Sequence, residues 1–88
     1  MEIIYLPNAT IHLDYWVIIN NVKVLEKIAS LLKNILENPK LGIGKPEALK
    51  HQLSGLWSRR INQEHRLVYE IDEANNRIII HSLKGHYY

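Results

Sequence analysis

The chain has no cysteine among its 88 residues, and that one absence excludes a disulfide scaffold, thiolate metal sites and a cysteine nucleophile together. Stability has to come from packing. A charged-then-apolar leader and an apolar run of about 20 residues are also missing, so neither a secretory signal nor a membrane span is legible and the expected location is the cytoplasm. The five histidines, His12, His51, His65, His81 and His86, offer no i, i+4 pair and no HExxH pattern, so no metal is expected. Gly42 to Lys45 lacks the GKS or GKT ending of a phosphate loop. Neither internal repeats nor a composition-biased tract interrupt the chain. With 47% apolar and 23% charged residues, residues 1–88 are expected to form one globular domain.

The formal charge is only +2, so its distribution matters more than its sum. Residues 1 to 40 balance Lys23, Lys27, Lys33 and Lys40 against Glu2, Asp14, Glu26 and Glu37. Residues 41 to 71 set Lys45, Lys50, Arg59, Arg60 and Arg66 against Glu47, Glu64 and Glu70, and hold all the excess positive charge.

Ile3 to Leu6 is a short β-forming run that Pro7 stops. Asn8 or Thr10 can cap a helix running to Asn20, with Ile11, Tyr15, Ile18 and Ile19 spaced for one face, although Trp16, Val17 and Ile18 also suit a strand. From Asn21 the period is clearer: Val22, Leu25, Ile28, Ala29, Leu32, Ile35 and Leu36 describe an amphipathic helix that Pro39 ends near Asn38. Lys40 to Ser54, with Gly42, Gly44 and Pro46, reads as a loop with one helical turn around Ala48 to His51. Three β-like segments follow, Trp57 to Ile61, His65 to Ile71 and Arg77 to Leu83, joined by hairpin-length connections. The order predicts an α+β fold, two helices packed on one face of a twisted, mainly antiparallel sheet of four to five strands. Ile78, Ile79 and Ile80 suit a central strand buried on both faces. Alternation places Arg66, Val68 and Glu70 on one side of their strand and Leu67, Tyr69 and Ile71 on the other. If the second set meets the helices, Arg66 lies on the open face.

The cations Lys45, Lys50, Arg59, Arg60 and Arg66, interleaved with Trp57 and His65, can bind phosphates and stack bases. Composition alone fits a solvated strand face with ordinary ion pairs as well. Histidine can donate or accept a proton near neutrality, which draws attention to His86 beside Tyr87 and Tyr88; a His-Tyr pair can equally dock on a sheet edge. Glu47 is a lone loop carboxylate between Lys45 and Lys50, cations that favour a form able to accept a proton; loop glutamates are also common without any role.

The run Gly44-Lys45-Pro46-Glu47-Ala48-Leu49-Lys50-His51-Gln52-Leu53-Ser54-Gly55-Leu56-Trp57-Ser58-Arg59-Arg60-Ile61, followed by Glu64-His65-Arg66-Leu67-Val68-Tyr69 and His86-Tyr87, resembles the YoeB (Txe) toxin family of the RelE-like group. The resemblance covers most of residues 44 to 88; the first half is similar only in its strand-helix-helix pattern. It implies the α+β fold already read from the residues, and the toxin half of a toxin-antitoxin pair. It further implies a cofactor-free, metal-independent endoribonuclease that cuts messenger RNA in the ribosomal A site, is neutralised by a YefM-type antitoxin, and often forms homodimers. On matching positions, Glu47 takes the family's general base, Arg66 its phosphate-stabilising arginine and His86 its general acid. Lys50, Arg60 and Tyr87 match positions that hold or orient RNA. Lys45 and Arg59 join that set from their charge alone. The alternative from another class is a non-catalytic RNA- or ribosome-binding module using the same basic strands.

Overall fold

The computed structural model describes residues 1–86 and places five strands and two helices: β1 (Glu2–Tyr5), α1 (Pro7–Ile18), α2 (Val22–Glu37), β2 (Glu47–Ala48), β3 (Leu56–Arg60), β4 (Arg66–Asp72) and β5 (Arg77–Ser82). The sheet order is β1-β5-β4-β3-β2. Among the described residues only the β1–β5 pairing is parallel, and the chain between these two strands includes a helical crossover. Both helices cover one face, so the fold class expected from the sequence is the one observed.

Pro7 does more than stop β1. It occupies the first helical turn of α1, where a missing N–H costs nothing and its fixed φ suits the helix, so neither Asn8 nor Thr10 caps it. The expected face of α1 is corrected as well. Ala9 and Trp16 are buried and Leu13 packs beside them, whereas Ile11, Tyr15, Ile18 and Ile19 are exposed, Ile18 to 80%. In α2 the buried stripe is Val24, Ile28, Leu31 and Ile35, with Leu25 and Leu32 at its margin. Val22, Ala29 and Leu36 from the expected stripe face solvent, because the apolar arc is wider than the strip the sheet can cover. Asn21 caps α2 by accepting from the Val24 N–H at 3.1 Å, and Asn38 leaves it in extended geometry ahead of Pro39.

On the sheet, Leu67, Tyr69 and Ile71 meet the helices as alternation predicts. Ile78 and Ile80 are fully buried. Ile79 is only half-buried, contrary to expectation, because among the described residues both helices pack on the face of Ile78 and Ile80 and none on the opposite one. A β-bulge then changes the parity of β5: Val68 pairs with Ser82 and Tyr69 with Ile80, leaving His81 as the extra residue. Its consequence is that Leu83, an odd number of residues beyond Ile80, still points into the core and is fully buried. The stretch expected as a loop with a helical turn at 48–51 instead contains the two-residue strand β2 and a 3-10 turn at His51–Leu53.

Candidate nucleic-acid interface

Paired residues of neighbouring strands share a face, so the register decides which candidate residues meet. Arg60 lies opposite Arg66, Ser58 opposite Val68, and Glu47 opposite Ser58. Glu47, Arg60 and Arg66 therefore lie together on the face away from the helices. Two strand spacings and two residues along put the Cα atoms of Glu47 and Arg66 on the order of 12 Å apart. Side chains of their length can converge across that gap on one phosphodiester.

Arg60 and Arg66 are like charges directly across a ladder, an arrangement that destabilises a sheet unless an anion sits between them. The Arg66 guanidinium is oriented from below: Nη1 donates to the carbonyls of Asn62 at 2.8 Å, His65 at 3.1 Å and Gln63 at 3.3 Å, all in the β3–β4 connection. That leaves a half-buried arginine fixed by one nitrogen. Its backbone N–H donates to the Gly85 carbonyl at 3.0 Å, so the chain reaches His86 one residue from Arg66. Lys50 is exposed beside Glu47 on a groove of about 710 Å³ lined by residues 47–53. Lys45 is exposed two residues before Glu47 and holds a left-handed backbone with φ 52°. Tyr87 lies outside the described residues.

Arg59 does not belong to this surface. It is fully buried on the helix face, and all five of its donors are used within the fold. Nε donates to the Tyr69 hydroxyl at 3.2 Å, Nη1 to Asn34 Oδ1 and to the Ile43 carbonyl at 3.1 Å, and Nη2 to the carbonyls of Asn38 at 2.7 Å and Leu41 at 3.2 Å. Tyr69 in turn donates to the Pro39 carbonyl at 2.6 Å; burial holds its phenol above the ordinary range, against the opposing pull of Arg59. Arg59 thus folds the 38–43 segment that leads to Glu47. Gly44 closes that segment against β3, accepting from the Arg60 N–H at 2.7 Å with φ +79°, where a Cβ would stand 2.7 Å from Leu31. Trp57 lies on the same face as Arg59 and packs against the core while remaining partly exposed.

His65 is also not a surface base-stacker. Its ring packs edge-on against Trp16 at 4.8 Å, and Nδ1 accepts from the Gly85 N–H at 2.8 Å. Among the described residues, no group of three or more His, Asp or Glu side chains is placed to hold a metal ion, and no helix is long and apolar enough to cross a membrane.

The sheet order, the helix-covered face and the open face carrying an acid and two arginines define the class: a RelE-like α+β domain of the bacterial toxin type. A family model described as "YoeB-like toxin of bacterial type II toxin-antitoxin system" matches residues 6–87, and the chain belongs to that family. Among its relatives, "Toxin YoeB" of Synechocystis is 53% identical over 75 residues, 84% of this chain and 85% of that protein. Two solved structures from Staphylococcus aureus are each 48% identical to this chain, over 99% of this chain and 98% of theirs. One is a heterotetrameric complex of the YoeB-YefM toxin-antitoxin, with TM-score 0.86, and the other a YoeB dimer, with TM-score 0.87.

Proposed function

We propose that the chain acts as a single-domain, metal-independent endoribonuclease that cleaves messenger RNA in the ribosomal A site in the cytoplasm. The observation that supports this most directly is the register that gathers Glu47, Arg60 and Arg66 on one open face, with Gly85 bonded to Arg66 immediately before His86.

RNA brings its own nucleophile, the 2′-hydroxyl, so the protein needs a base, a charge stabiliser and an acid but no covalent side chain or cofactor. Glu47 takes the 2′-proton. As the 2′-oxygen attacks phosphorus, negative charge grows on the phosphoryl oxygens, and the planar two-donor edge of Arg66 suits it better than a point charge. His86 protonates the departing 5′-oxygen. The products are a 2′,3′-cyclic phosphate, which can open to a 3′-phosphate, and a 5′-hydroxyl end. Lys50, beside Glu47, together with Lys45, Arg60 and Tyr87, is proposed to hold or orient the RNA. The antitoxin partner is proposed to be of YefM type and the toxin to form a homodimer, by likeness to the two Staphylococcus aureus assemblies.

The test is to express the chain in a translating extract and map new RNA ends beside Glu47→Gln and His86→Gln. New 3′ ends within codons, reduced by roughly 10²- to 10⁴-fold in either variant, are expected. Intact message with the protein still on ribosomes would replace this reading with a non-catalytic binding module.

A further inference from the structure

Beyond Ser82 the chain leaves the sheet, and the backbone groups of residues 83–85 have no ladder to join. Buried backbone groups must still find partners. For Leu83 and Gly85 the partners come from remote parts of the chain, three side chains and one backbone N–H. The Leu83 N–H donates to His12 Nδ1 at 3.1 Å, and the Leu83 carbonyl accepts from Trp16 Nε1 at 2.9 Å. The Gly85 N–H donates to His65 Nδ1 at 2.8 Å, and the Gly85 carbonyl accepts from the Arg66 N–H at 3.0 Å. Both backbone groups of both residues are therefore held. The anchors brace one another, since the Trp16 and His65 rings meet edge to face at 4.8 Å.

Each imidazole accepts through Nδ1, so each is a neutral ring with its proton on Nε2 in this arrangement. Gly85 has φ +82°, and a Cβ there would meet nothing within 4 Å, so its left-handed backbone and not lack of space calls for glycine. That turn lets its N–H and carbonyl reach consecutive residues, His65 and Arg66.

We propose that His12, Trp16 and His65 are positioning residues that hold the 83–85 segment so that His86 is presented to the leaving oxygen beside Arg66. The inference rests on the reading of His86 as general acid. None of the three touches the RNA; they act through the backbone. Misplacing a reacting group by about 1 Å can cost on the order of 100-fold in rate, which sets the size of effect to look for.

The experiment compares the parent, His86→Gln, His65→Leu and His65→Asn on programmed ribosomes, with two messages that differ at the scissile bond. One carries the ordinary 5′-oxygen; the other carries a 5′-bridging sulfur, a thiolate leaving group that needs little protonation. Asn offers Oδ1 near the position of Nδ1, and Leu offers no acceptor. On the oxygen message His65→Leu is expected to cleave about 10- to 100-fold more slowly at unchanged KM, with His65→Asn recovering most of the loss. On the sulfur message both His65→Leu and His86→Gln are expected to return to within a few-fold of the parent. A His65→Leu rate equal to the parent on oxygen, or an equal defect on both messages, would overturn the positioning role. A His86→Gln rate equal to the parent on oxygen would instead overturn the acid assignment beneath it. Should His65→Leu melt too low to assay, His12→Leu against His12→Asn makes the same comparison from α1, with the same outcomes.

Discussion

Arg59 and Arg60 carry the same guanidinium one residue apart on β3, and strand alternation sends them to opposite faces of the sheet. Arg60 is exposed and stands across from Arg66, a repulsive pair useful when an anion arrives. Arg59 is fully buried, with five donors committed to the fold. The covered face uses positive charge to organise backbone; the open face leaves it exposed, where the proposed substrate would meet it. A count of cations in a basic segment mixes the two, and only the register separates them.

The largest expected effect breaks this comparison on the covered side. Arg59→Met strands several buried carbonyls and the Tyr69 hydroxyl, and should cost about 3–5 kcal/mol of stability, whereas Arg60→Met should stay within about 0.5 kcal/mol of the parent. Urea denaturation of the two variants side by side checks it; equal midpoints would mean the buried bonds contribute nothing net. On the open side the order reverses. Arg60→Met should weaken RNA binding and lower the salt slope of the binding constant by about 1, measured by titration at several salt concentrations.

A smaller effect is expected from Tyr69→Phe, which removes one hydroxyl bridging Arg59 and Pro39, and should cost about 1–3 kcal/mol while leaving the open face intact. Thermal melting together with RNA affinity distinguishes this from a change at the site. The smallest concerns pH. Burial first, and the charge of Lys84 second, hold His12 below its ordinary value of 6.5. Between its folded value and 6.5 the unfolded chain binds more protons, so this contribution to stability is complete above that range and is lost as pH falls through it. Melting curves from pH 8 to 5 should show a decline that is shallower in His12→Asn; parallel curves would sink the assignment.

Much of the architecture could be read before any coordinates. The 3.6-residue period fixed α2, Pro39 fixed its end, and alternation on β4 put Arg66 on the open face. What failed did so for physical reasons. Two residues, Glu47 and Ala48, are too few to show a period, so nothing in the sequence separates β2 from the loop around it. Helix α1 carries apolar residues on more than one face, and the face that packs is set by Ala9 and Trp16 rather than by Ile11 and Ile18. Arg59 looked like its neighbour because charge carries no record of burial. Glu47, Arg66 and His86 were marked by resemblance more than by pattern. The parts of His12, Trp16 and His65 were invisible because their partners lie up to 71 residues away and are backbone atoms, which every sequence has.

The 38–43 segment is wrapped around the Arg59 guanidinium much as an ionophore wraps its ion, with carbonyl oxygens turned inward. Since the ligands are main-chain carbonyls of Asn38, Leu41 and Ile43, the loop's shape is encoded mainly in a residue that is not in the loop. Leu41 and Ile43 point to solvent, 67% and 44% exposed. The outer surface of this crown can therefore be rewritten, to suit one protein partner or another, without retuning the approach to Glu47.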